Sequence, residues 1–291
     1  MTRLVSIDGT ITRPEAARVS VYDRGFLYGD SVFETIRTYG GEPFALAEHL
    51  ARLQRSADRT GIAMPVSAAE LGMEIRKAIR AARNPESSAR AMLTRGSGPL
   101  GLDPALASSP LRVILVEPLT PLPAALYRSG VGVITLRTAR AADAAPGAKV
   151  GNYLANLLAL KQARDAGAHE AIVLDAAGRV IEGATSNVFL VRGGVLFTPA
   201  EETGALPGIT RAHLLDLAAE GGRPARFEPL VPDDLAAADE VFLTSSLREI
   251  MPVVRVDDRV VGDGRPGPVT RALHAAFRAR AGLGGAPMPW E

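Results

Sequence analysis

The sequence predicts a mixed α/β (α+β) protein of two domains, on three features. The chain has 291 residues, enough for about two domains of ordinary size. Strand-like runs and amphipathic helices are interspersed in both halves. A segment with three prolines, "PLTPLPAALYRSG", interrupts the periodic pattern near the middle. The expected division is a small α/β domain over 1–118, a linker over 119–130 and a large domain over 131–291.

In the first half, "MTRLVSIDG" reaches a strand at once, with no signal peptide. Asp23, Arg24 and Gly25 read as a loop, followed by a strand through 32–38 that ends at Gly40 and Gly41. Leu46, Leu50, Leu53 and Ala57 form one apolar stripe, so a helix is expected up to Gly61. Ser67 with Glu70 three residues on is a capping box for a second helix. "ARAMLTRG" and "LRVILVEP" read as strands.

The second half opens on the strand "VGVITLRT". A Gly/Pro/Ala loop follows, and Asn152 is placed to cap a helix through Leu154, Leu157, Leu158 and Ala163. "EAIVLDAAGRVIEG" and "NVFLVRGGVLFTP" read as hairpins. "LPGITRAHLLDLAAEGG" is a helix bracketed by Pro-Gly and Gly-Gly. "DEVFLTSSLREIMPV" is a strand entering a polar turn, and "GPVTRALHAAFRARAG" is a closing helix. The tail "GGAPMPWE" is expected to be poorly ordered.

Composition excludes several classes. With 33 basic and 32 acidic side chains interleaved, no basic patch invites nucleic acid. There is no cysteine, hence no disulfide framework or thiolate chemistry. The four histidines are scattered without metal-ligand spacing, so no metal site is expected. No apolar run reaches membrane-spanning length. A soluble, cytoplasmic protein is the expectation.

The chain uses arginine almost everywhere for positive charge. Only Lys77, Lys149 and Lys161 are lysines. Lys149 follows a loop and precedes a helix, where an amine could condense with an aldehyde or carbonyl group. Glu182, at the end of a hairpin strand, could pair with a cation such as a protonated pyridine ring. Gly208, Ile209 and Thr210 open a helix whose first N–H groups suit a phosphate. Ser245 and Ser246, at a strand-to-loop turn, are also phosphate-compatible, and Arg52 could fork onto a phosphate. Each feature alone is common in loops, caps and solvated helices; their order is what carries information.

That order resembles the fold-type IV (class IV) pyridoxal-phosphate aminotransferases, which include branched-chain aminotransferases, D-amino acid aminotransferases and 4-amino-4-deoxychorismate lyases. The resemblance runs from about residue 19 to residue 280. It implies a two-domain fold with the active site between the domains, pyridoxal 5′-phosphate as cofactor, and a homodimer. It makes Lys149 the Schiff-base lysine and proton shuttle. Glu182 would pair with the pyridine nitrogen, and Tyr153 would hydrogen-bond the phenolic oxygen. Arg52, Ile209, Thr210, Ser245 and Ser246 would hold the phosphate, with Asn187 close by. An arginine could not replace Lys149, because it does not deprotonate to attack an aldehyde.

The substrate side implied by the resemblance comprises Tyr28, Phe33, Thr35 and Arg37, read as alternating along one strand face, together with Arg90 and Leu247. "ARAMLTRG" is similar to the "YIRxxxTRG" of prokaryotic branched-chain enzymes; Arg90 matches, but Ser88 stands where the tyrosine would be. Leu100 and Leu102 stand where D-amino acid aminotransferases carry an arginine and a histidine. Thr35 is similar to the lyases, while "SSLREIMPV" and "GNYLANLLA" are similar to branched-chain enzymes. The expected activity is transfer of an amino group between a branched-chain L-amino acid and 2-oxoglutarate. The alternatives are the lyase, a D-amino acid or (R)-amine transaminase, and a non-catalytic metabolite-binding protein on the same fold.

Overall fold

The computed structural model describes residues 2–107, 109–138 and 144–291. Part of the loop before Lys149, residues 139–143, lies outside them. Each of the two units mixes helices with one sheet. The first comprises Met1–Thr120 with Ala148–Tyr153, the second Pro121–Gly147 with Leu154–Glu291.

The sheet of the first unit is antiparallel, in the order β2 (Thr10–Thr12), β1 (Leu4–Ile7), β6 (Leu111–Pro118), β5 (Ser87–Thr94), β3 (Ser31–Tyr39), β4 (Glu42–Pro43). Helices α2 (Leu46–Thr60) and α3 (Ala68–Ala82) bury their apolar stripes with Val32 and Ile36 of β3. Leu53 has no exposed surface, and its truncation to alanine would cost about 2–5 kcal/mol. The capping box of Ser67 and Glu70 is formed, and Gly61 ends α2 in the left-handed region with φ of 64°.

Two local expectations are corrected here. Residues 24–28 are helix α1 (Arg24–Tyr28), not a loop, because the Asp23 side chain accepts from the Gly25 N–H at 2.8 Å. Gly29, with φ of 69°, ends that helix before β3 begins. Tyr28 therefore does not alternate with Phe33, Thr35 and Arg37, which do share one face of β3.

The second unit is built on a nine-stranded mixed sheet. Its path runs β12 (Arg226–Phe227), β11 (Val195–Thr198), β10 (Asn187–Arg192), β13 (Glu240–Ser245), β14 (Glu249–Val256), β7 (Val131–Arg137), β8 (Glu170–Leu174), β9 (Val180–Gly183). Strand β15 (Arg259–Val260) pairs with β14 off this path. Both expected hairpins form, and Gly193 and Gly194 supply the positive φ of the second. Helices α5 (Leu154–Asp165), α6 (Ile209–Glu220), α7 (Pro232–Ala236) and α8 (Pro268–Arg278) complete the unit. The core gathers residues such as Val133, Ile172, Leu190, Leu243 and Met251.

Three further expectations change. The linker segment contains helix α4 (Ala124–Ser129), whose Tyr127 is buried in the core and donates its hydroxyl to the Arg248 carbonyl at 2.9 Å. Proline 123 does not prevent this, since a proline is tolerated at a helix start. The tail is docked: Trp290 stands edge-on to His274 at 5.3 Å, and Arg128 Nε donates to its carbonyl at 3.1 Å. Finally, the sequence places Lys149 in the large domain, but its segment packs in the first unit. The reason is backbone pairing to β3.

Candidate active site

In the first unit, residues 149–151 act as a short added strand on the edge of β3. The Phe33 N–H donates to the Lys149 carbonyl at 3.0 Å, and the Gly151 N–H donates to the Ser31 carbonyl at 2.7 Å. Val150 bridges Val32. The Lys149 N–H donates to Ser56 Oγ of α2 at 3.0 Å. The lysine backbone is thus held from both the strand and the helix. Gly151 permits the approach, since a Cβ there would lie 2.0 Å from Ser31 Oγ.

With the backbone held, the Lys149 side chain falls on the Phe33 face of β3. Its Nζ donates to the Tyr153 hydroxyl at 3.2 Å and lies 4.8 Å from the centre of the Phe33 ring. Tyr153 meets Phe33 edge-on at 5.1 Å. The Arg90 guanidinium sits over the same phenyl ring at 3.7 Å. Pairing of β3 with β5 explains this: Arg90 is opposite Thr35 and diagonal to Phe33. Arg90 Nε is buried with no hydrogen-bond partner among the described residues. Burial pushes the guanidinium below its ordinary pKa, with Tyr153 acting weakly the other way. Among the described residues no acid pairs with this cation, and it faces an apolar ring, which suits a carboxylate ligand.

Two more of the predicted substrate residues make contacts of their own. Arg37, further along β3, lies over the Tyr39 ring at 4.5 Å. The Tyr28 hydroxyl accepts from the Gly101 N–H at 3.3 Å and its ring lies beneath Arg24.

Arg52 is engaged within the protein. Its Nε donates to Glu34 Oε1 and its Nη2 to Glu34 Oε2, both at 2.7 Å, while His49 Nδ1 lies 2.7 Å from the same Oε2. The expected fork onto phosphate is therefore directed at Glu34 here. Burial alone would raise the Glu34 pKa; the charge and hydrogen bonds of Arg52, with those of His49, outweigh it and lower it to about 2.

In the second unit, the predicted cofactor residues converge at one end of the sheet. Strand β9 ends just after Glu182, β10 begins at Asn187, and Asn187 is paired with Thr244 of the antiparallel β13. Ser245 and Ser246 follow at that same end, half-buried, with Leu247 exposed beyond them. Glu182 Oε2 accepts from the Leu206 N–H at 2.9 Å and from Asn187 Nδ2 at 3.4 Å. Asn187 Nδ2 also donates to the Leu206 carbonyl at 2.8 Å. Helix α6 starts beside them, with Ile209 and Thr210 buried and no side chain capping its first N–H groups. At Gly208 a Cβ would sit 1.9 Å from Asn187 Oδ1, so a larger residue would displace the Asn187 side chain or the helix start. Thr244 Oγ1 is buried without a hydrogen-bond partner among the described residues.

These residues fit pyridoxal phosphate. The group needs an amine, a carboxylate for its ring nitrogen, a donor for its phenolic oxygen and a cradle of donors for its phosphate. Lys149, Glu182, Tyr153 and the uncapped start of α6 with Thr210 and the serine turn match those needs. The orphaned Thr244 hydroxyl at the same end of the sheet points to a polar ligand there.

The model of the amino-transferase class IV family matches residues 31–256, and the chain belongs to that family. It is a pyridoxal-phosphate-dependent aminotransferase, as its motifs predicted. The chain is similar to the branched-chain-amino-acid aminotransferase of Escherichia coli (strain K12), 38% identical over 93% of this chain and 90% of the relative. It is also similar to the D-alanine aminotransferase of Bacillus licheniformis, 33% identical over 94% of this chain and 95% of the relative. Among solved structures, it resembles the branched-chain aminotransferase of the thermophilic archaeon Thermoproteus uzoniensis with norvaline. The TM-score is 0.88 at 32% identity, over 99% of this chain and 97% of that one.

Sequence reasoning missed Glu34, Ser56 and Leu206 as supports of the predicted residues. Glu34 did leave a signal, being an acid between Val32 and Ile36 on the inward face of a strand. Ser56 lies one turn after Arg52 on the buried face of α2. The Leu206 contribution is a backbone N–H and leaves no side-chain signature.

Proposed function

We propose that this aminotransferase moves the amino group of branched-chain L-amino acids to 2-oxoglutarate, and that both residue sets act on one pyridoxal phosphate. The observation that carries the substrate reading is Arg90 over Phe33. The apolar ring suits a branched aliphatic side chain, and the guanidinium, whose buried Nε has no hydrogen-bond partner among the described residues, suits the distal carboxylate of glutamate or 2-oxoglutarate. One wall then accepts both partners in turn. The D-amino acid alternative is less well supported, because exposed, uncharged Leu100 and Leu102 occupy the positions expected to grip its carboxylate.

Bound pyridoxal phosphate supplies a carbonyl for the substrate amine and an electron sink for the Cα–H electron pair. The protein residues do the rest. The Lys149 amine, oriented by its hydrogen bond to Tyr153, would take up the proton from the substrate Cα and return it. Glu182, fixed by Leu206 and Asn187, holds the ring nitrogen in its cationic form. The Ile209 N–H, Thr210 and Ser246, with Ser245, would retain the phosphate. Leu247 lines the substrate side of the same turn.

We further propose a cytoplasmic homodimer. Leu154, Leu157 and Leu158 form an exposed apolar stripe on α5, spaced for one helix face, and Phe26 is 71% exposed. Among the described residues no helix is long and apolar enough to cross a membrane.

Arg90→Met tests the substrate reading. KM for 2-oxoglutarate should rise about 10- to 100-fold, the scale of a lost charged hydrogen bond, while KM for L-leucine stays nearly constant. An equal rise for both substrates would sink it.

A further inference from the structure

The turn after β13 is tied to the Glu182 segment by one side chain that touches neither candidate ligand group. Arg248 Nη1 donates to Glu170 Oε2, and Arg248 Nη2 donates to Thr185 Oγ1. Glu170 opens β8 and has no exposed surface. The same Oε2 also accepts from Thr185 Oγ1 at 2.8 Å and from Ser186 Oγ at 3.4 Å. Thr185 and Ser186 lie between Glu182 and Asn187 in the chain. The Arg248 backbone is held as well: its N–H donates to Ser245 Oγ at 3.4 Å, and its carbonyl accepts from Tyr127.

The turn is also held against strain. Glu249, which ends it, has φ of 59°, a left-handed conformation disfavoured for any residue with a Cβ. Its buried carboxylate is anchored by His274 Nε2 at 2.6 Å and Arg278 Nη1 at 3.1 Å. Strand pairing secures β10 to β13 and β8 to its neighbours without Arg248. What the guanidinium adds is a link between the two loops that leave those strands.

We propose that Arg248, acting through Glu170 and Thr185, is a positioning residue that sets the spacing between the serine turn and the Glu182 carboxylate. This rests on the reading of those two segments as the grips on the phosphate and the ring nitrogen. A rigid ligand held at two points loses affinity when the distance between the points is no longer fixed. The pair is desolvated on the Glu170 side, so the link is little screened by salt.

Two variants separate positioning from plain structural support. Arg248→Met alone leaves Glu170 buried without its counter-ion, which destabilises a fold by itself. The double variant Glu170→Gln with Arg248→Met removes both charges. Each full-length holoenzyme is dialysed against stepped concentrations of pyridoxal phosphate, and bound cofactor is read from its visible absorbance. Melting is recorded in saturating cofactor.

The double variant is expected to melt higher than Arg248→Met, yet to bind pyridoxal phosphate about ten- to a hundredfold more weakly than wild type. That is the scale on which outer hydrogen-bond partners act at metal sites. Arg248→Lys, which keeps the charge but not the fork, should recover part of the affinity. A double variant with wild-type cofactor affinity overturns the proposal. So does affinity that recovers in step with melting temperature. Wild-type protein that takes up no pyridoxal phosphate would instead sink the cofactor reading, and this proposal with it.

Discussion

Glu34→Gln removes the carboxylate that faces Arg52 and His49 while keeping its shape. In the folded protein Glu34 titrates at about 2, against an ordinary 4.5. At roughly 1.4 kcal/mol per pH unit, that gap is worth about 3 kcal/mol of stability. Because the folded pKa is depressed, this stability is fully present above pH 4.5. It drains away as pH falls from 4.5 towards 2, where Glu34 is protonated in both states. Glutamine cannot ionise, so the variant lacks this pH dependence and also removes the carboxylate charge that faces the buried Arg52. Urea unfolding of both proteins at steps from pH 7 to pH 2.5 reads the difference. It should be about 3 kcal/mol or more at pH 7 and shrink steadily below pH 4.5. A difference that stays constant across the acid range would refute the assignment of Glu34 as the ionised partner of Arg52.

Other predictions are equally specific. Lys149→Arg should fold normally, with an unchanged melting temperature in the absence of cofactor, and lose transaminase activity by at least about 10²- to 10⁴-fold; a variant with full activity would exclude Lys149 as the reacting amine. Gly208→Ala places a methyl group 1.9 Å from Asn187 Oδ1, so the Asn187 side chain or the start of α6 must shift. Its affinity for pyridoxal phosphate, titrated by absorbance, should fall, and an unaltered affinity would argue against a phosphate at this helix start. Ser56→Ala leaves the Lys149 N–H without its acceptor. The cost should be about 1–3 kcal/mol in urea unfolding, whereas an unchanged midpoint would mean the contact contributes nothing.

Much of the site was legible because chemistry restricts residue type at a few positions. Lysine is so rare in this chain that Lys149 before "VGNY" draws attention by itself. Glycine at 208 and threonine at 210 mark an uncapped helix start, and that helix forms from Ile209. The alternation of Tyr28 with Phe33, Thr35 and Arg37 is misread in sequence because "YGDSVFET" hides a break: Gly29, in the left-handed region, turns helix α1 into β3. The packing of Lys149 with the first unit leaves no trace in the sequence. It depends on three backbone contacts of residues 149–151, too short a run to show a period. Prolines disguise helix α4, because a proline just before a helix start looks the same in sequence as one inside a linker. The tail misleads by composition, since its glycines and prolines outnumber the one tryptophan that anchors it. Arg248 reads as an ordinary turn arginine, and only the fold brings it to Glu170 and Thr185.

Whether Lys149 is the amine that binds the cofactor is read directly by reductive labelling. The purified holoenzyme is reduced with borohydride, digested, and its lysine peptides are weighed by mass spectrometry. With only three lysines in the chain, the result is easily read. A phosphopyridoxyl group is expected on Lys149 and none on Lys77 or Lys161, with labelling prevented by prior addition of L-leucine or L-glutamate. A label on another lysine, or no label in protein saturated with pyridoxal phosphate, would contradict it.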